Sequence, residues 1–250
     1  MLLHGQRVGL LRQRGAITRF ELDESYLEDP ERAVFGLIFE QDLPARRSVK
    51  QRLPPWFANL LPEGQLRRWI ALERGVPLIR EVELLAQIGH DLPGAVGMLA
   101  AEPGHEDDES WVEPPDRPKP RGLVAGLRFS LAGVTMKFSM LDQGHRLTLP
   151  AADERGDWIV KLPDGAHPNV PHNEYTMMGL ASAAGIEVPE IRLRHRDEVP
   201  ELPNQLWPNN EVWAYSVRRF DRDGQRVPIH IEDLAQVRDF YPEEKYRSNF

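Results

Sequence analysis

Phe129-Ser130-Leu131-Ala132-Gly133-Val134-Thr135-Met136-Lys137-Phe138 opens the stretch that decides the fold. Trp158-Ile159-Val160-Lys161-Leu162-Pro163 follows, then Asn173-Glu174-Tyr175, then Val217-Arg218-Arg219-Phe220-Asp221-Arg222. Read physically, these are a strand, tight turn and strand; a strand carrying a lysine; a helix opening with a glutamate; and a strand ending in charge. Small residues at Ala132 and Gly133 let backbone N–H groups approach phosphate oxygens, and Lys137 adds charge. A lysine at the end of an apolar strand, here Lys161, neutralises phosphates when a carboxylate holds it in place. Glu174 is the candidate holder. Taken singly, the same residues also read as an ordinary hairpin, a snorkelling edge lysine and a helix-start glutamate.

The strand Ala214 to Phe220 is a candidate wall for a flat base, with Tyr215, Val217 and Phe220 supplying apolar surface. Asp164-Gly165-Ala166-His167-Pro168-Asn169 imitates a catalytic loop but reads as a polar connection. The histidines at 4, 90, 172 and 230 are too scattered for a metal site. Neither a nucleophile elbow nor a dinucleotide-binding glycine fingerprint is present.

Working outward, the second unit, 123–250, reads as strands at 127–131, 136–141, 145–149, 157–162, 190–195 and 212–219. A helix spans about 173–184, with Asn173 as its cap and Gly185 as its stop. Another starts near Ile231 and includes Leu234, Ala235 and Val237. Residues 102–122 carry the acidic run Glu106-Asp107-Asp108-Glu109 and prolines at 114, 115, 118 and 120, the composition of a linker or long surface loop. The first unit, 1–101, reads as strands at 8–11, 17–22 and 34–39, helices at about 63–74 and 80–88 stopped by Gly75 and Gly89, and a strand at 95–101. Leu66, Trp69 and Ile70 form the inward face of the first helix, and Val82, Leu85 and Ala86 that of the second. The fold class is α+β.

Composition bounds the function. A net charge of −8 argues against nucleic-acid binding through the overall field. The basic clusters Arg46, Arg47, Lys50, Arg52 and Arg192, Arg194, Arg196 read as solvated faces. The absence of cysteine excludes thiolate chemistry and disulfides and fits a reducing, cytoplasmic setting. Neither a signal peptide nor a membrane-length apolar run is expected.

The order of the segments resembles the HipA-type serine/threonine kinases, the toxins of bacterial toxin–antitoxin pairs, in their N-terminal portion. The resemblance runs through Phe57-Ala58-Asn59-Leu60-Leu61-Pro62-Glu63-Gly64, Leu84-Leu85-Ala86-Gln87-Ile88-Gly89 and Asp91-Leu92-Pro93-Gly94-Ala95. It continues through Ser130 to Lys137, Ile159 to Pro163, Asn173 to Tyr175, Arg219 to Arg222, and Glu232-Asp233-Leu234-Ala235-Gln236.

The resemblance implies a small N-terminal α+β subdomain followed by a kinase-like small lobe. Ala132, Gly133, Val134, Thr135, Met136 and Lys137 would line the ATP phosphates. Lys161 would contact them, supported by Glu174, and Arg218, Arg219 and Phe220 would match the adenine hinge. Ser130 would be the regulatory phosphorylation site, where added charge expels the loop. Met136 departs from the family, which commonly carries a carboxylate there.

The family's catalytic aspartate and Mg2+ ligands belong to a helical large lobe, expected to begin after about Tyr246. The chain is therefore expected to hold ATP without completing catalysis. Implied partners are a HipB-like DNA-binding antitoxin and a complementing large lobe, with no direct nucleic-acid or membrane contact. The alternative is a non-catalytic module that docks an antitoxin or a separate kinase lobe.

Overall fold

The computed structural model describes residues 1–99, 136–150 and 154–245. The expected strand at 127–131, the linker 102–122 and the phosphate-loop residues Ser130 to Thr135 lie outside them.

The chain opens with β1 (Leu2–Leu3), β2 (Gln6–Arg7), β3 (Gly9–Arg14) and β4 (Ile17–Leu22). β3 and β4 pair antiparallel from Gly9 opposite Leu22 to Arg14 opposite Ile17, which leaves a two-residue loop. Gly15 takes a positive φ of 56° there, as such tight hairpin loops require. Period-two alternation works as expected: Thr18 and Phe20 are buried, Ile17 and Arg19 exposed. After α1 (Glu24–Leu27) and α2 (Leu37–Glu40), β5 (Arg47–Lys50) adds to the free edge of β4. Next come α3 (Pro55–Ala58), α4 (Gly64–Arg74), α5 (Glu81–Ile88) and β6 (Val96–Gly97), which pairs with β1.

The strand expected at 34–39 is instead a bend and a short helix. Phe35, Ile38 and Phe39 are the buried large side chains of that run, a helical spacing. A continuous apolar run carries no periodicity to separate the two structures. Tertiary contacts decide it. The Leu37 N–H donates to Glu232 at 2.9 Å, and a Cβ at Gly36 would lie 2.6 Å from Trp56 Nε1. The result is an aromatic nucleus. Phe20 meets Phe57 and Phe35 meets Trp56 with centroids 4.6 Å apart, and Phe39 joins both pairs.

α4 follows the sequence reading: Leu66 and Ile70 are buried and Trp69 packs beside them. Gly75 ends it at φ 65°, where the Val76 N–H reaches back to the Ala71 carbonyl at 2.9 Å in a Schellman-type close. In α5 the fully buried apolar residues are Leu84, Leu85 and Ile88, with Val82 and Ala86 packed at the margin. The strand expected over 95–101 reduces, among the described residues, to Val96–Gly97.

The second unit contains β7 (Lys137–Asp142), β8 (Leu147–Thr148), β9 (Trp158–Lys161), α6 (Val170–Ala183), β10 (Ile191–His195), β11 (Trp213–Arg218) and α7 (Leu234–Val237). Its strands form one antiparallel sheet in the order β10-β11-β9-β7-β8. α6 packs on β10 and β11.

α6 begins earlier than the sequence suggested. Asn173 lies inside the helix, and the cap position is Asn169 at φ 61°. Pro171 explains the difference, because a first-turn residue needs no N–H. The expected second helix starts at Leu234, capped by the reciprocal Asp233–Gln236 box.

Phe138, Met140, Trp158 and Val160 of this sheet share one continuous core with the first unit. Trp69 of α4 stands edge-on to Phe138 with centroids 6.2 Å apart. The N-terminal subdomain is thus the packing support of the sheet.

Candidate functional site

Strand register builds the centre of the site. Lys137 of β7 lies opposite Lys161 of β9, and Lys161 lies opposite Tyr215 of β11. Directly paired residues share a face, so two ammonium groups and a phenol ring stand side by side. α6 lies on this face and brings Glu174 into an ion pair with Lys161. The Lys161 ammonium also lies 5.5 Å from the Tyr215 ring centroid. The paired side chains are 28% and 26% exposed, so a ligand can reach them. Burial and Glu174 push the Tyr215 phenol up to about 12.

Lys137 is in a different position. Burial, and then the charge of Lys161, push its ammonium down to about 8. No described carboxylate makes an ion pair with it. The nearest help is the field of Glu63 and Glu174, and Glu63 is itself paired with Lys245 at 3.5 Å. An anion placed against Lys137 and Lys161 would relieve this repulsion. Lys137→Met is therefore expected to raise stability by about 1–2 kcal/mol while weakening phosphate binding. Thermal melts with and without inorganic triphosphate check both halves. A buried lysine with a lowered value destabilises most when both folded and unfolded chains are protonated. Stability should then rise with pH between about 8 and the ordinary lysine range near 10.5 as the folded chain sheds this proton first.

Met136 packs against the core, and its carbonyl accepts from the Leu162 N–H at 2.9 Å. Ser130, Ala132, Gly133, Val134 and Thr135 lie outside the described residues.

The expected hinge divides into three distinct environments. Arg218 is half-exposed, and its N–H donates to the Glu190 carbonyl at 2.8 Å. Phe220 is 68% exposed, an unusual position for an aromatic ring. Arg219 departs from the expectation of a ligand-facing residue. Its guanidinium is fully buried, and its N–H donates to the Asp157 carbonyl at 2.8 Å.

That guanidinium sits in a closed ionic cluster. Arg219 makes five hydrogen bonds: Nε and Nη2 to Asp221 at 2.9 and 2.7 Å, Nη1 to Asp91 at 3.0 Å and to Ser139 at 2.9 Å, and Nη2 to the Leu92 carbonyl at 3.3 Å. Arg222 joins Asp91 at 2.8 Å, Asp221 at 2.9 Å and the Gly94 carbonyl at 3.0 Å. Asp221 in turn accepts from the Gly94 N–H at 2.8 Å. Gly94 has φ 70°, and a Cβ there would lie 2.8 Å from the Ile231 nitrogen. Gly94→Ala is expected to cost about 1–3 kcal/mol, read as a lowered melting temperature.

Sequence reasoning missed Asp91, Ser139, Glu63 and Lys245. Asp91 sat in a segment that signals a turn, and no local pattern announces that a turn carboxylate will meet an arginine 128 residues away. The Asp164 to Asn169 segment is the polar loop expected. The Asp164 carboxylate accepts from the Ala166 N–H at 2.8 Å and from His167, and these contacts hold it below the ordinary value. Among the described residues no group of carboxylates and histidines could hold a metal ion, and no helix is long and apolar enough to cross a membrane.

Comparison with known proteins gives the family. Residues 1–99 match the model of the HipA N-terminal domain, and residues 129–250 match that of the HipA-like C-terminal domain. The chain belongs to the HipA family. Two Sinorhizobium fredii (strain NBRC 101917 / NGR234) proteins with provisional kinase names, Y4dM and Y4mE, are similar to it along most of its length. Y4dM is 39% identical over 98% of this chain and 60% of its own length. Y4mE is 30% identical over 92% of this chain and 56% of its own length. This HipA-family chain therefore spans less than two thirds of these relatives. The solved Shewanella oneidensis MR-1 HipA, in complex with HipB and its operator DNA, superimposes with a TM-score of 0.60 at 19% identity, over 98% of this chain and 57% of that one. That likeness is one of fold.

Proposed function

We propose that these residues form the nucleotide-holding part of a HipA-type serine/threonine kinase. The observation that carries the reading is the Lys161–Glu174 pair beside Lys137, which makes no ion pair among the described residues. Together they make a reachable site with cationic groups poised for phosphate oxygens. The donor set thus fits the phosphates of ATP. Lys161 would neutralise them, Glu174 would hold Lys161 in place, Lys137 would take up or retain its proton against the bound anion, and Phe220 would present an apolar face to the base. Mg2+, when bound, would supply neutralisation of the phosphate charge. Its ligands, and the base that accepts the hydroxyl proton, would come from sequence outside 1–250.

The exposed apolar residues Tyr175, Met177 and Leu180 on α6 support a further lobe packed across this helix. The solved relative assembles with HipB, and a HipB-like antitoxin is the corresponding partner here. That assembly also contains operator DNA, and the expectation of no direct nucleic-acid binding gains no support from it. The cysteine-free composition supports a cytoplasmic setting.

Calorimetric titration tests the reading. The chain should bind ATP saturably and more tightly than adenosine, because the phosphates contribute most of the affinity. Equal or absent binding of both by a well-folded chain would instead favour the docking module.

A further inference from the structure

Phe220 is held in the open by its neighbours on both sides. Arg219 and Asp221 are bound to each other inside the protein, and their side chains are 0% and 6% exposed, while Phe220 between them stays in solvent. The cluster that fixes them is closed from the N-terminal subdomain. Asp91 Oδ1 accepts from both Arg219 and Arg222, and Asp91 Oδ2 faces the Gly156 N–H at 3.3 Å. The backbone of the same turn completes the enclosure through the Leu92 carbonyl, which accepts from both arginines, and through Gly94. Two carboxylates balance two guanidiniums, and hydrogen bonds saturate Arg219, so the charges tolerate burial.

We propose that Asp91 is a positioning residue for nucleotide holding: through Arg219 and Arg222 it fixes the segment that presents Phe220 to the base. The proposal rests on the functional reading above. It makes the N-terminal subdomain a determinant of how the base is held, although that subdomain contributes no group to the phosphate contacts. It also explains why a solvent-exposed aromatic ring is placed between two of the most thoroughly anchored residues in the chain. An exposed ring on a free loop would collapse onto nearby apolar surface, whereas one between two buried ionic anchors cannot.

The test separates the two halves of the ligand. In Asp91→Asn, affinity for ATP should fall about tenfold, while affinity for inorganic triphosphate, which needs only the lysines, stays unchanged. Amide exchange over residues 219–222 should quicken in the same variant. If ATP affinity is unchanged, or if ATP and triphosphate affinities fall together, the proposal is overturned and the cluster serves stability alone. If Asp91→Asn does not fold, the double variant Asp91→Asn/Arg222→Gln removes one charge of each sign and carries the same measurements. If the unaltered chain binds neither ATP nor triphosphate, the functional reading fails. The positioning claim is then judged by exchange alone, and unchanged protection at 219–222 overturns it.

Discussion

Arg219→Ala is expected to destabilise the chain more than any surface change, by about 3–5 kcal/mol, because two buried carboxylates lose a shared cation. At roughly 2–4 °C per kcal/mol for a chain of this size, the melting temperature drops by roughly 6–20 °C. The size of the effect follows from the geometry. Asp91 and Asp221 are 1% and 6% exposed, so water cannot replace the lost hydrogen bonds. Arg222 remains, but its Nε has no hydrogen-bond partner among the described residues and it cannot neutralise both acids. Arg219→Lys should fall between, since an ammonium keeps the charge and loses the fork that grips Asp221 through two nitrogens. The pH dependence has a definite sign. Burial opposes ionisation of Asp221, but the hydrogen bond and charge of Arg219, the charge of Arg222 and the Gly94 N–H together hold its carboxyl below the usual 3.8. A depressed carboxylate contributes stability that is present above its unfolded value and lost as pH falls through the folded value. Acid melts should therefore show a loss below about pH 4 that Asp221→Asn removes.

Lys161→Ala is expected to have the largest effect on the proposed nucleotide binding. Loss of a charge-assisted contact to phosphate costs about 2–3 kcal/mol, roughly 30- to 150-fold in affinity. The variant also leaves Glu174 unpaired and facing the anion, so the loss should exceed that of a neutral deletion. Lys161→Ala/Glu174→Gln should recover part of it. Folding should scarcely change. Half-buried pairs of this kind contribute about 0–1 kcal/mol, and the strand keeps its backbone partners at 137 and 215. Calorimetric titration of both variants, with a melt of each, separates the two effects. Undiminished ATP affinity in a folded Lys161→Ala chain would remove Lys161 from the site.

Much of the architecture is legible in local chemistry. The alternation over Ile17 to Leu22, the apolar strand ending in Lys161 and the helix closed by Gly75 all appear where residue pattern places them, because burial of one face selects a single periodicity. The run Val34 to Phe39 is not legible in this way. Every position but Gly36 is apolar, so helix and strand bury it equally well, and contacts from Trp56 and Glu232 decide. Asn173 was a plausible cap by composition, but a proline at 171 moved the helix start to 170.

The site divides the same way. Lys137, Lys161 and Glu174 are visible as residues, and their order along the chain points to a family. Sequence order alone pointed to one family, whose resemblance implies that these groups would act together on a nucleotide. It could not determine that Lys137 has no ion-pair partner among the described residues, that Arg219 points inward rather than toward a ligand, or that Asp91 reaches it from another subdomain. Those facts depend on register and on which side chains the packed core excludes from water. The energy of a charge is set by what surrounds it in three dimensions, not by its neighbours in sequence.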